Sequence, residues 1–310
     1  METPIEKEHR SRGRRALRRV MKGPGVQGIV DQKSGSAANG RLHYRAQITD
    51  LRPLARISKS GPLAGSLTLD GSASGRLDAM DASATLDARH LLVNNTRLAA
   101  LRAQLNARAI GTTRGAADLS AEALDISMSG RSFTGARVTA GWKGAGFTPS
   151  ETSIDLLVRQ DDKHEHRVRA NVDMQPQEMR LALRDLVLQL GEDTWRNKGI
   201  AQIRYRGERV AVSNFELRSD RGQLTVDGEG GTAGNQNLTL TVRELDLAPF
   251  LSGQPGDFKG RVSARAHLAG TAKVPQLDAE ISIEQPTVKN VRCQTARANL
   301  HLARGRVESD

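Results

Sequence analysis

From Leu42 to the end of the chain, apolar and polar residues take turns. Ala82, Ala84, Leu86 and Ala88 alternate with Asp81, Ser83, Thr85 and Asp87, and Leu101, Ala103, Leu105 and Ala107 alternate with Arg102, Gln104, Asn106 and Arg108. Further on, Val262, Ala264, Ala266 and Leu268 are separated by Ser263, Arg265 and His267. Leu277, Ala279, Ile281 and Ile283 follow, separated by Asp278, Glu280 and Ser282, and then Ala296, Ala298, Leu300 and Leu302, separated by Arg297, Asn299 and His301. A period of two puts all apolar side chains on one face of a strand and all charged ones on the other. A helix needs apolar residues three and four apart, and no long stretch supplies them. Turn signals at Asn94-Asn95, Ser129-Gly130, Ser219-Asp220-Arg221-Gly222 and Gly228-Glu229-Gly230-Gly231 punctuate the pattern. The reading is all-β: antiparallel strands with one apolar and one wet face.

The pattern also repeats. A shift of 195 residues sets Gly65 on Gly260, Gly75 on Gly270, Ala84 on Ala279, Asn95 on Asn290, Arg102-Ala103 on Arg297-Ala298 and Leu105 on Leu300. Just upstream, Leu51-Arg52-Pro53-Leu54 echoes Leu247-Ala248-Pro249-Phe250. These matches divide the chain into a basic arm over 1–40 with no regular structure, a first β unit over 41–245, and the truncated start of a second, continuous unit over 246–310.

Composition changes the picture in one respect. Among 310 residues only 3% are aromatic and 37% hydrophobic, and alanine fills many of the apolar positions. Large aromatic rings carry much of the burial in a thick core. Their scarcity suits a shallow or open apolar surface, or a thin sandwich whose alanines close on a facing sheet. Net charge is +11, and Arg10, Arg12, Arg14, Arg15, Arg18 and Arg19 crowd one short stretch. That stretch reads either as a contact for anionic lipid headgroups or nucleic acid, or as a solvated tail. Elsewhere arginine sits singly on the polar parity, as on a solvated face.

The single Cys293 allows no intramolecular disulfide. No apolar run has the length of a membrane span, and no signal peptide is visible, so an exported protein would carry that information elsewhere. Lys163-His164-Glu165-His166 offers two imidazoles without a third ligand cluster. The glycine-rich residues 228–234 lack the Lys-Ser/Thr of a phosphate loop. Trp142 and Trp195 stand alone, with no aromatic ladder for bases. No catalytic constellation and no cofactor or metal motif emerges.

The repeated residues resemble the TamB/AsmA superfamily of Gram-negative envelope proteins. The likeness rests on the turn Leu245, Leu247, Phe250, on Gly260 opening a strand, and on Leu268-Ala269-Gly270-Thr271 with Pro275. It also rests on the strand Leu277-Asp278-Ala279-Glu280-Ile281. A second block runs from Trp195 through Ile203-Arg204-Tyr205, Val210, Phe215-Glu216-Leu217-Arg218-Ser219 and Gly222-Gln223-Leu224 to Gly228. The resemblance covers roughly residues 42–310. The chain departs from the family in having neither an N-terminal membrane anchor nor the C-terminal region through which such proteins meet an outer-membrane barrel.

The resemblance implies an elongated, curled antiparallel sheet, a β-trough repeat array with an apolar lining. It implies a periplasmic protein anchored in the inner membrane, with phospholipid acyl chains as cargo and an outer-membrane barrel as partner. Its roles would be lipid passage between the membranes, support of outer-membrane protein assembly, or both. The expected lining is Ala82, Ala84, Leu86, Ala88, Leu101, Ala103, Leu105, Val262, Ala264, Ala266, Leu268, Leu277, Ala279, Ile281, Ile283, Ala298 and Leu300. Two other readings are a self-filled β-solenoid adhesin or passenger domain, which would repeat at about 20–25 residues, and a basic nucleic-acid-binding protein. Nucleic acid is not expected as a partner.

Overall fold

Alternation becomes strand throughout the computed structural model. It describes residues 9–11, 14–23, 26–34, 40–53, 61–76, 78–146, 148–248, 259–288, 291–303 and 306–309. Among them, helical backbone occurs only at residues 52–53 and 248. The chain is all-β and antiparallel, and it separates into two compact units, Met1–Lys163 and His164–Asp310. This division falls inside the stretch 41–245. Compactness follows spatial contact, whereas the repeat follows sequence, and the two do not share a boundary.

Among the described residues the first unit is a meander of ten strands: β1 (His9–Ser11), β2 (Arg14–Gly23), β3 (Val26–Ser34), β4 (Gly40–Ile48) and β5 (Leu63–Arg76), then β6 (Ala79–Val93), β7 (Thr96–Ile110), β8 (Gly115–Met128), β9 (Arg131–Ala145) and β10 (Thr148–Arg159). Each pairs antiparallel with the next. The expectation of an unstructured arm over 1–40 needs correction, since β1, β2 and β3 lie within it. A sheet edge presents a row of unpaired N–H and C=O groups, so β3 can pair along β4 through its backbone without a strong apolar pattern of its own. Arg12 lies outside the described residues, as do the side chains of Arg10, Arg14, Arg15, Arg18 and Arg19.

The second unit begins with β11 (Glu165–Gln175), β12 (Glu178–Leu190), β13 (Asp193–Asn197), β14 (Ala201–Arg206), β15 (Arg209–Arg218) and β16 (Gln223–Gly231). It continues with β17 (Asn235–Asp246), β18 (Lys259–Thr271), β19 (Val274–Val288), β20 (Val291–Arg292), β21 (Thr295–Ala303) and β22 (Arg306–Ser309). Here β13 and β14 act as one broken strand, both lying between β12 and β15. Asn197 bridges the break. Its Oδ1 accepts from the Leu186 amide at 2.7 Å, and its Nδ2 donates to the Arg184 carbonyl at 3.2 Å and the Gly199 carbonyl at 2.6 Å. The carboxamide thus replaces ladder bonds that the interrupted backbone cannot make.

The 195-residue repeat is also a repeat of backbone devices. β6 (79–93) and β19 (274–288) correspond end to end. Gly65 and Gly260 both have positive φ and sit at register shifts at equivalent places, between Ala64 and Ser66 and between Lys259 and Arg261. His90 and Gln285, again 195 apart, both take the left-handed conformation at φ 50° and 48°. The Leu51 amide donates to the Gly65 carbonyl at 2.9 Å, and the Leu247 amide to that of Gly260 at 3.0 Å. Asp50 and Asp246 each accept a backbone N–H two residues on, from Arg52 and Ala248, both at 2.9 Å. An Asx turn therefore folds the chain at the foot of each copy.

Burial is thin. Among the described apolar residues larger than alanine, the deepest are Leu51 and Trp195, each 3% exposed. The chain exposes 21890 Å², whereas two separate compact bodies of half its mass each would together expose about 15,000 Å². The buried clusters are local. Leu51 folds over Ala88 and Leu91; Ala107, Ile110 and Ala117 gather beside Trp142; and Ala170, Leu183 and Ala201 gather beside Phe215. Pairing neighbours along the sheet supply most of these contacts.

Candidate functional site

Strand register settles which side chains share a face. In the first unit, residues facing one another across the ladders form four rows from β4 to β10. The first runs Ile48, Leu67, Ala88, Leu101, Ala123, Ala136, Val158, and the second Ala46, Leu69, Leu86, Ala103, Ala121, Val138, Leu156. The third runs Tyr44, Gly71, Ala84, Leu105, Leu119, Ala140, Ile154, and the fourth Leu42, Ala73, Ala82, Ala107, Ala117, Trp142, Thr152. Seven strands at a spacing of ~4.8 Å and four rows two residues apart make an apolar panel of about 29 Å by 20 Å. Within it Leu105 and Leu119, direct neighbours, remain 37% and 38% exposed.

The second unit has rows of the same kind. Val172, Leu181, Ile203, Val212, Gly228, Leu238, Leu268, Leu277 and Leu302 cross nine strands. Beside them run Phe215, Val226, Leu240, Ala266, Ala279, Leu300, and then Leu217, Leu224, Val242, Ala264, Ile281, Ala298. Val262 and Ile283 pair at the margin. All seventeen side chains expected to line a groove therefore lie on the apolar face of their own unit. Sequence reading alone missed Leu119, Ala121, Ala123, Ala136, Val138, Ala140, Leu156 and Val158. Their alternation is visible in the sequence, but only the register shows that they continue the same rows.

Small residues keep the face shallow. The Tyr44 ring lies over Gly71, where a Cβ would come within 2.4 Å of the ring, and Trp195 lies over Gly222, where a Cβ would come within 2.5 Å of Cη2. Each ring takes up the space a glycine leaves and packs flat against backbone. Gln236, the one polar side chain buried among the described residues, is held by Gly231. Its Oε1 accepts from the Gly231 amide at 3.0 Å, and its Nε2 donates to the carbonyl of the same residue.

The opposite face is charged, and part of its charge is paired. Asp87, Arg102, Glu122 and Arg137 form a row of alternating sign, with Arg102–Asp87 at 3.2 Å and Arg137–Glu122 at 3.1 Å. In the second unit Arg180 bonds Glu178, and Arg221 bonds Asp193 at 2.9 Å. The Arg180 guanidinium holds the Glu178 carboxyl below its ordinary range, chiefly by hydrogen bonding. Shallow depressions mark this wet face, and two among the described residues lie in the second unit. One, of about 550 Å³, includes Arg180, Gln202, Arg204, Ala211, Ser213 and Glu229. The other, of about 620 Å³, is bordered by Arg243, Arg265, Arg297 and Glu280 around Ser263 and Ser282. Both arise where long side chains ring short ones.

His164 and His166 of the candidate imidazole pair both serve the ladder. His164 Nε2 lies 3.1 Å from the Gly191 carbonyl, and His166 Nδ1 accepts from the Gln189 amide at 3.2 Å. Cys293 is exposed.

The architecture defines a class: an antiparallel all-β protein with one apolar and one charged face. Compared with protein families, with curated proteins and with solved structures, the chain matches none.

Proposed function

We propose that this chain is a non-enzymatic section of a TamB-like envelope protein. Its apolar face gives phospholipid acyl chains a path between inner and outer membrane, supports outer-membrane protein assembly, or does both. The observation that carries the reading is the unbroken row, in which apolar side chains follow one another from strand to strand while Leu105 and Leu119 stay more than a third exposed. An acyl chain of ~16 carbons leaving a bilayer gives up roughly 13 kcal/mol of burial at ~0.8 kcal/mol per CH₂. A continuous apolar surface removes most of that barrier, and alanines such as Ala103 and Ala279 leave room above the sheet. The work is done in the periplasm, with the inner membrane at one end of the route and an outer-membrane barrel at the other. Strands of up to 15 residues in an antiparallel meander support this reading over a solenoid of short rungs.

Photo-crosslinking in the cell envelope tests it. A benzophenone side chain at Ala103 or Ala279 is expected to capture phospholipid, and one at Gln104 or Ser120 on the wet face of the first unit is not. Equal capture from both faces, or capture from neither, refutes the proposal.

A further inference from the structure

The depression bordered by Arg243, Arg265 and Arg297 gathers three guanidinium groups around two serines on the wet face. Several arginines there reach a carboxylate, as Arg102 and Arg137 do. Among the described residues, none of these three has an ion-pair partner. The register brings them together. Ser263 of β18 faces Ser282 of β19, which faces Arg297 of β21. On the other side the register shift between Val242 and Leu245 sets Arg243 of β17 beside Ser263. Arg265 lies two residues along β18 and faces Glu280, with Thr241 and Asn299 continuing its row. Arg243 and Arg297 thus flank two serines across three strand spacings, about 14 Å. An anion midway, over the serines, is within reach of long side chains from both sides.

The floor is suited to such a guest. Ser263 Oγ accepts from the Glu244 amide at 3.1 Å, which leaves its own O–H to donate outward. Among the described residues, Glu280 is the only carboxylate on the rim, against three guanidinium groups. Guanidinium forks match phosphate oxygens in geometry as well as charge, and hydroxyls complete the donor set.

We propose that this depression binds a phosphate group, either the headgroup of an anionic lipid or a free phosphate ester. The site lies on the wet face and does not depend on the apolar one carrying acyl chains. The test uses the full chain, with Arg243→Gln/Arg297→Gln compared against Arg102→Gln/Arg137→Gln, which removes equal charge from the other unit. Inorganic phosphate and glycerol phosphate are titrated by calorimetry, and vesicles of phosphatidylglycerol or of phosphatidylcholine are assayed by flotation. Circular dichroism checks that each variant is folded, and Arg243→Lys/Arg297→Lys keeps the charge while removing the forks.

Expected is binding that falls at least tenfold in the Arg243→Gln/Arg297→Gln protein, falls less in the lysine pair, and is unchanged in the control. Flotation with phosphatidylglycerol but not phosphatidylcholine, without soluble phosphate binding, identifies a headgroup; soluble binding alone identifies a free ester. No binding in any arm overturns the proposal. So does an equal loss in the control pair, which assigns the effect to net charge.

Discussion

Replacing Leu105 by asparagine asks whether the apolar face is open. Leu105 is 37% exposed between Ala84 and Leu119. Burying a whole leucine is worth roughly 1.5–3 kcal/mol, so losing the covered three-fifths costs about 1–2 kcal/mol. Water reaches the new amide on an open face, and no further penalty applies. Were the face covered by another layer, an amide without partners would add roughly 2–7 kcal/mol, bringing the loss to about 4 kcal/mol or more. Ala88→Asn supplies the contrast. Ala88 is 3% exposed against Leu51 and Leu91, so crowding and an unpaired amide together cost about 3 kcal/mol or more. Urea unfolding followed by Trp142 emission, in a Trp195→Phe background, reads the first unit for both variants. The reasoning fails if Leu105→Asn loses 4 kcal/mol, or if it loses more than Ala88→Asn.

Two further outcomes follow from local geometry. Gly222→Ala places a Cβ within 2.5 Å of Trp195 Cη2. The indole must shift, with a loss of about 1–3 kcal/mol and a red-shifted Trp195 emission; an unchanged spectrum and midpoint would contradict the packing described. Asp50 and Asp78 are held below the ordinary carboxylate range by hydrogen bonds from Arg52 and Arg76, as Glu178 is by Arg180. A lowered folded pKa contributes stability that is fully present above the unfolded value and is lost as pH falls through the folded one. The urea midpoint should therefore decline below about pH 4, and less steeply in the Asp50→Asn/Asp78→Asn/Glu178→Gln protein. An identical decline in both proteins would show that these pairs do not contribute.

The sequence alone determined the class of structure. Period-two alternation from Leu42 onward admits only strands with two unlike faces, and the spacing of Gly65 from Gly260 and of Gly75 from Gly270 marks the repeated backbone devices. Those features are legible because they depend on neighbours one or two residues apart, or on a conformation only glycine takes easily. Register belonged to the tertiary structure. Nothing near Leu119 in sequence says that it faces Leu105, or that Ser263 brings Arg243 and Arg297 to one depression, because those relations are fixed by hydrogen bonds between strands and by the shift that the extra residues at 243–244 introduce. The pairing of β2 and β3 likewise escaped the sequence, since a strand held by backbone bonds to its neighbours need leave little trace in its side-chain pattern. Face is a local property of a strand, whereas the neighbour across the ladder is a property of the folded sheet.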